Sequence, residues 1–161
     1  MVEKLNDFKN SLRFTLKWEG LYSNDPNDPG GETKWGISKR AYPKEDIKNL
    51  TPERCAEIYA DDYWAKCGCD SIEFPLNTVV FDTAVNCGVA RARGWLRAAK
   101  STVEYLGFRK NHYLNLVKSN PQMGIYLKGW LNRVQDLEKF VAINTPEATS
   151  KGYFGGIKIP S

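Results

Sequence analysis

The sequence predicts a mainly α domain with one small turn-rich or β element at residues 20–40. Three observations carry that reading. Apolar residues recur every three to four positions along much of the chain, residues 21–38 are interrupted by two Asp-Pro steps and a Gly-Gly pair, and two helical segments open with a cap residue followed by proline. With 161 residues, 42% of them hydrophobic and 26% charged, the chain suits one compact domain over residues 1–161.

Leu5, Phe8, Leu12 and Leu16 predict an amphipathic helix over residues 5–18, with Lys9, Asn10, Arg13 and Lys17 off the apolar stripe. The same spacing continued from Leu16 lands on Glu19, which places this carboxyl on the buried edge of the helix C-terminus. Gly20 follows as a stop signal. Residues 21–38 cannot continue the helix, and short turns with strands around Tyr22 and Lys34–Ile37 are expected.

Thr51 as N-cap and Pro52 as first helical residue open a helix that reaches about Tyr63. Residues 76–99 are the most apolar stretch, and Leu76, Val79, Val80, Phe81, Ala84 and Val85 predict a central buried helix there. Further helices are expected from about Phe108 to Lys118 and from Gln122 to Ile143, the second opened by Asn120-Pro121. The Gly/Pro/Ser-containing tail, residues 144–161, is expected to be loosely ordered.

A net charge of +4 favours polyanionic surroundings such as nucleic acid, anionic lipid or a bacterial envelope. The basic residues are scattered singly and in pairs, without the blocks that grip phosphates, which argues against a nucleic-acid partner. The first fourteen residues hold no uninterrupted apolar run, so neither a signal peptide nor a membrane helix is expected, and synthesis in the cytoplasm without stable membrane association is. Cys55, Cys67, Cys69 and Cys87 do not follow paired zinc-site spacing and are expected to be reduced structural thiols, with no metal and no organic cofactor. His112, the sole histidine, cannot be matched to a nucleophile, so triad chemistry has no support.

Glu19 is the residue whose setting points to chemistry. Cleavage of a glycosidic bond commonly needs a carboxylic acid that can protonate the departing oxygen. Burial against apolar side chains keeps a carboxyl protonated, because the charged form loses its water. Glu19 has an apolar stripe behind it, Trp18 beside it, and a helix C-terminus whose partial negative charge also disfavours ionisation. The plain alternative is a solvated glutamate at a helix end. Five Trp, eight Tyr and seven Phe serve a core first, but such rings also form the stacking walls of sugar sites.

The segment KWEGLYSNDPNDPGGETKWGIS resembles the N-terminal signature of the glycoside hydrolase family 108 endolysins, through Glu19, Gly20, Tyr22, Asp25, Pro26, Asp28, Pro29, Gly30, Gly31, Thr33, Gly36 and Ile37. The likeness continues in LTPERCAEIYADDYW, in FDTAVNCGVARA and in RKNHYLNLVKSNPQMGIYLKGWLNRVQDL, the last similar to a region regarded as peptidoglycan-binding in that family. It covers about residues 8–140. It implies a lysozyme-like fold with a catalytic core over about 8–105, a binding segment over about 107–143, N-acetylmuramidase activity on peptidoglycan glycan strands, and Glu19 as the catalytic acid.

Other roles follow with alternatives open. Asp28 lies nine positions after Glu19, the interval of the catalytic pair in older phage lysozymes, and either holds the attacking water or simply caps its own Asp-Pro-Gly-Gly turn. Thr33 falls one position short of the threonine of that pattern, as a water-positioning candidate. Tyr22, Trp35, Tyr63 and Trp64 are candidates for cleft walls. Asp82 and Asn86, four apart on the central helix, either build a buried network or, for Asn86 especially, meet sugar hydroxyls. The resemblance further implies a monomeric phage endolysin that leaves the host cytoplasm through a holin and acts in the periplasm or cell wall. A lytic transglycosylase using the same glutamate, or a catalytically silent peptidoglycan-binding protein, are the competing readings.

Overall fold

The computed structural model describes residues 2–145, with side chains from Leu5 onward, and the backbone of two short strands at 153–154 and 157–158. Helix α1 (Val2–Trp18) is followed by the hairpin strands β1 (Thr33–Lys34) and β2 (Ile37–Ser38). Helix α2 (Pro52–Tyr59) passes through one π turn at Ala60–Trp64 into the short α3 (Ala65–Cys67). Helices α4 (Leu76–Cys87), α5 (Val89–Ala98), α6 (Thr102–Ser119) and α7 (Gly124–Asn144) complete the helical body. The mainly α class with a small β element, expected from the sequence, is the class observed. Strands β3 (Tyr153–Phe154) and β4 (Ile157–Lys158) pair antiparallel; the rest of the tail, and with it the expectation of loose order, lies outside the described residues.

Helix α4 is the axis, with every side chain from Asn77 to Ala84 buried. Its apolar face collects Phe81 against Phe8, Tyr59 and Trp64 in edge-to-face contacts at 5.6–6.1 Å. Its polar face meets α1 in a two-rung ladder: Ser11 Oγ lies 2.6 Å from Thr78 Oγ1, and Thr15 Oγ1 donates to Asp82 Oδ1 at 2.9 Å. The buried face of α1 is therefore Ser11, Phe14 and Thr15, rotated from the stripe read in the sequence. Leu5 is exposed, and Phe8, Leu12 and Leu16 are only half-buried. Hydrogen-bonded hydroxyls can be buried as deeply as leucine when both partners are supplied, and apolar periodicity cannot register that.

The caps behave as expected where a side chain signals them. Thr51 Oγ1 accepts from the Arg54 amide at 3.1 Å, and Asn120 Oδ1 from the Gln122 amide at 3.2 Å. Helix α6 begins well before Phe108, because Ser101 Oγ accepts from the Glu104 amide and Glu104 reaches back to the Lys100 amide, close to a capping box. The expected 76–99 helix is two helices. Gly88 parts them at φ +94°, ψ +147°, a conformation essentially closed to L-residues. Gly20, read as a stop signal, does lie just beyond the end of α1, without positive φ. No helix among the described residues is long and apolar enough to cross a membrane.

Gly88 and Gly107 should respond oppositely to alanine. A Cβ meets nothing within 4 Å at either, but Gly88 has the forbidden backbone and Gly107 lies within α6. Gly88→Ala is expected to lower stability by about 1–3 kcal/mol, and Gly107→Ala to raise it by about 0.5–1 kcal/mol, as measured by urea unfolding. Equal changes of the same sign would contradict the assignment.

Candidate active site

Glu19 directly follows α1, and its amide extends the last helical turn to the Thr15 carbonyl at 3.2 Å. Its side chain is 20% exposed, and Oε1 accepts from Arg133 Nη1 at 2.9 Å. The apolar wall expected behind Glu19 is thus not its closest partner; a guanidinium from α7 is. Arg133 in turn grips Asp82, with Nη2 at 2.7 Å from Oδ1 and Nε at 3.1 Å from Oδ2. Asp82 also receives Arg109 Nη1 at 2.8 Å, and Arg109 Nε donates to the Tyr113 hydroxyl at 2.8 Å. That hydroxyl donates to Asn86 Oδ1. Asp82 and Arg109 are fully buried and Arg133 nearly so.

Two carboxylates and two guanidiniums make this cluster neutral when all are charged. Burial opposes the charge on Asp82, but Arg133 and Arg109 overcome it and hold the carboxyl at about 2. Arg109 Nη2 has no hydrogen-bond partner among the described residues.

On another side, the β1–β2 hairpin closes on the same carboxylate. Lys34 pairs with Ile37, leaving Trp35-Gly36 as a two-residue turn with φ +51° and +81°. Positive φ at both central residues is the pattern of a type I′ turn, which suits the strand twist but strains a tryptophan. Tyr59 of α2 clamps it by donating to the Trp35 carbonyl at 2.7 Å. A Cβ on Gly36 would stand 2.6 Å from the Tyr59 hydroxyl and 2.8 Å from Glu19 Oε2. Only glycine lets this backbone lie against the carboxylate.

The other candidates are distributed unevenly. Asp28 is exposed and bonds within its own turn, Oδ1 accepting from the Gly30 amide at 2.8 Å. Thr33 lies in β1, its hydroxyl donating to the Gly31 carbonyl at 3.1 Å while its backbone bridges Ser23. Tyr22 is exposed and donates to Glu32 Oε1 at 2.7 Å, which raises its phenol above the ordinary range. Trp35 is half-buried with Lys34 Nζ 4.5 Å over its ring. Tyr63 is half-buried beside Tyr59, and Asn86 sits at the far end of the buried network. Trp64, offered as a cleft wall, is instead a core residue with its indole donating to Asp70 at 2.9 Å. The structure thus joins Glu19 with the Trp35-Gly36 turn, and links Asn86 to it through Asp82; Asp28, Thr33 and Tyr22 are held by local bonds.

Sequence reasoning missed Arg133, Arg109 and Tyr59. For the two arginines the one signal was a charged residue at an otherwise apolar helical position, as in Trp130–Leu131–Arg133–Val134–Leu137, where Arg133, Val134 and Leu137 are all buried. All four cysteines are free, and Cys55, Cys67 and Cys69 are buried. Among the described residues no group of three or more His, Cys, Asp or Glu side chains could hold a metal ion. Cavities of about 600 and 340 Å³ open along α1, one lined by Asp7 and Asn77 and the other by Asn10, Lys17 and Phe140, and Glu19 lines neither.

Two outcomes are expected from this geometry. Gly36→Ala should lower both stability and activity, whereas Gly20→Ala, with open space and no positive φ, should change stability by less than ~0.5 kcal/mol; equal tolerance at both would contradict the docking of the turn. Asp82, near 2 in the fold against roughly 3.9 in an unfolded chain, contributes stability that is fully present above pH ~4 and lost as pH falls through about 2. Asp82→Asn should therefore flatten the loss of thermal stability between pH ~4 and ~2, and an unchanged acid limb would contradict it.

Residues 12–88 match the family model for glycosyl hydrolase 108, a span that includes Glu19, the Trp35-Gly36 turn and Asp82. The solved structure of Brucella abortus SagA is similar at a TM-score of 0.64 and 25% identity, over 81% of this chain and 90% of SagA. Among curated proteins, none matches this sequence. Over residues 12–88 the chain thus matches the glycosyl hydrolase 108 family, the family its motifs resemble.

Proposed function

We propose that the protein is a peptidoglycan hydrolase, an N-acetylmuramidase of endolysin type, that cleaves the β-1,4 bond between N-acetylmuramic acid and N-acetylglucosamine with Glu19 as general acid. The observation that carries this reading is the setting of Glu19. The carboxyl stands at a helix end, one-fifth exposed, between a guanidinium and a glycine turn, inside the segment that matches a glycosidase family.

The geometry suggests how the acid works. Arg133 is a donor only and occupies Oε1, so the transferable proton belongs on Oε2. Oε2 is the oxygen against Gly36, where the absent side chain leaves the backbone close. A sugar bound over the hairpin would bring its glycosidic oxygen to Oε2, with Trp35, Tyr22 and Tyr63 available as ring surfaces and Asn86 as a hydrogen-bonding group. The attacking water would be oriented by Asp28, by Thr33 or by other polar groups of the 22–38 loop; an inverting reaction through Asp28 would require its carboxyl to stand roughly 6.5–9.5 Å from that of Glu19. The chemistry needs no cofactor, and in a phage setting the enzyme would reach the wall through a holin-type pore and act as a monomer.

A second reading has a specific observation behind it. The Asp28 carboxylate is engaged in its own turn, so a single glutamate could act alone, as in a lytic transglycosylase, where the muramic acid's own hydroxyl attacks. The products then differ by one water, which mass spectrometry separates.

Glu19→Gln keeps the shape and removes the proton donor. Release of soluble fragments from purified peptidoglycan is expected to fall at least ~10²-fold, with an unchanged circular dichroism spectrum. Near-wild-type release by the folded variant would refute Glu19 as the acid.

A further inference from the structure

The family match ends at residue 88, yet the group that holds Glu19 lies at position 133. We propose that the α6–α7 segment is part of the catalytic centre, and that Arg133 is a positioning residue that sets the Glu19 carboxyl through Asp82 and Arg109. This inference rests on Glu19 being the general acid. It extends the sequence reading, in which one domain holds a catalytic core over about 8–105 and a segment over about 107–143 that resembles a peptidoglycan-binding region.

Arg133 is built to hold a direction. One edge of its planar guanidinium is taken by both oxygens of Asp82, and the remaining Nη1 is aimed at Glu19. Asp82 cannot turn to follow it, because Thr15 Oγ1 at 2.9 Å and Arg109 Nη1 at 2.8 Å fix the other sides of the carboxylate. Arg109 is fixed in turn by Thr83 Oγ1 at 3.1 Å and by Tyr113. Every member of this chain except Glu19 is buried, so solvent has little part in orienting it.

Helix α7 holds the end of α1 a second time. One turn beyond Arg133, Asp136 accepts from the Trp18 indole at 2.8 Å and pairs with Lys17 at 2.5 Å. The two residues before Glu19 and Glu19 itself are therefore all anchored on one helix. Stability alone does not call for such an arrangement, since buried ion pairs are often replaceable by apolar residues without loss. What a fixed fork supplies that an apolar contact cannot is orientation of the carboxyl it touches.

The test is steady-state kinetics of Arg133→Lys on solubilised peptidoglycan glycan strands. Lysine keeps the charge and loses the fork. A positioning role predicts kcat lowered ~10–100-fold, since a small misplacement of a catalytic group costs that much, with KM changed by less than about twofold. A raised KM with unchanged kcat would show a binding arm and overturn the proposal. Arg109→Lys, one step further from Glu19, is expected to lower kcat less with KM again unchanged, and it serves if Arg133→Lys does not fold; a change confined to KM in this variant would also overturn it. In a Glu19→Gln background, Arg133→Lys should leave the residual rate unchanged, because its effect passes through Glu19. A further loss as large as in the wild-type background would overturn the proposal, while near-wild-type activity of Glu19→Gln alone would instead fault Glu19 as the acid.

Discussion

Four ionisable side chains meet largely out of water, and their meeting constrains where each surrounding element can lie. Asp82 comes from α4, Arg109 from α6, Arg133 from α7 and Glu19 from the end of α1. Removing Asp82 would leave the fully buried Arg109 without its counter-charge, a change that typically costs about 3–5 kcal/mol. The requirement is therefore strict. Helix α7 must run past the C-terminus of α1, α6 must bring Arg109 under α4, and α4 must present Asp82 between two guanidiniums. The hydroxyls of Ser11 and Thr15 complete the arrangement by allowing α1 to sit directly on the polar face of α4.

The hairpin adds a different kind of constraint. Its two-residue turn places a tryptophan at positive φ, a conformation that costs about 1–3 kcal/mol and persists only where the surroundings enforce it. Here the enforcement is visible: the Tyr59 hydroxyl on the Trp35 carbonyl, and the Glu19 carboxylate against the bare face of Gly36. Strained backbone against a half-buried carboxylate, held by a network that spans 114 residues of sequence, is the arrangement that catalytic sites use to keep a reactive group in one place.

What could be read from the sequence was local. Thr51-Pro52 and Asn120-Pro121 announced their helix starts because a cap is a bond between near neighbours. The segment around Glu19 could be matched to a family because its motif is contiguous, and the turns and strands near Lys34–Ile37 were expected because Gly and Pro punctuate them. The buried face of α1 was misread, since Ser11 and Thr15 are buried by partners 67 residues away that periodicity does not see. Gly88 was passed over within an apolar run, although a glycine at φ +94° divides that run into two helices. Arg133 carried only the weak signal of its apolar neighbours, and its partner was as hidden as that of Thr15. A buried arginine looks like any surface arginine until the aspartate that receives it is in place, and the apolar setting inferred for Glu19 failed on that account.

The most direct measurement is a structure of the Glu19→Gln variant with a peptidoglycan tetrasaccharide bound. The account predicts a glycosidic oxygen at about 2.6–3.2 Å from the side chain at position 19, on the side facing Gly36, with Arg133 still engaged on the other. An oligosaccharide seated elsewhere, for instance in the cavity lined by Asp7, Asn77 and Phe74 with no sugar near position 19, would contradict it.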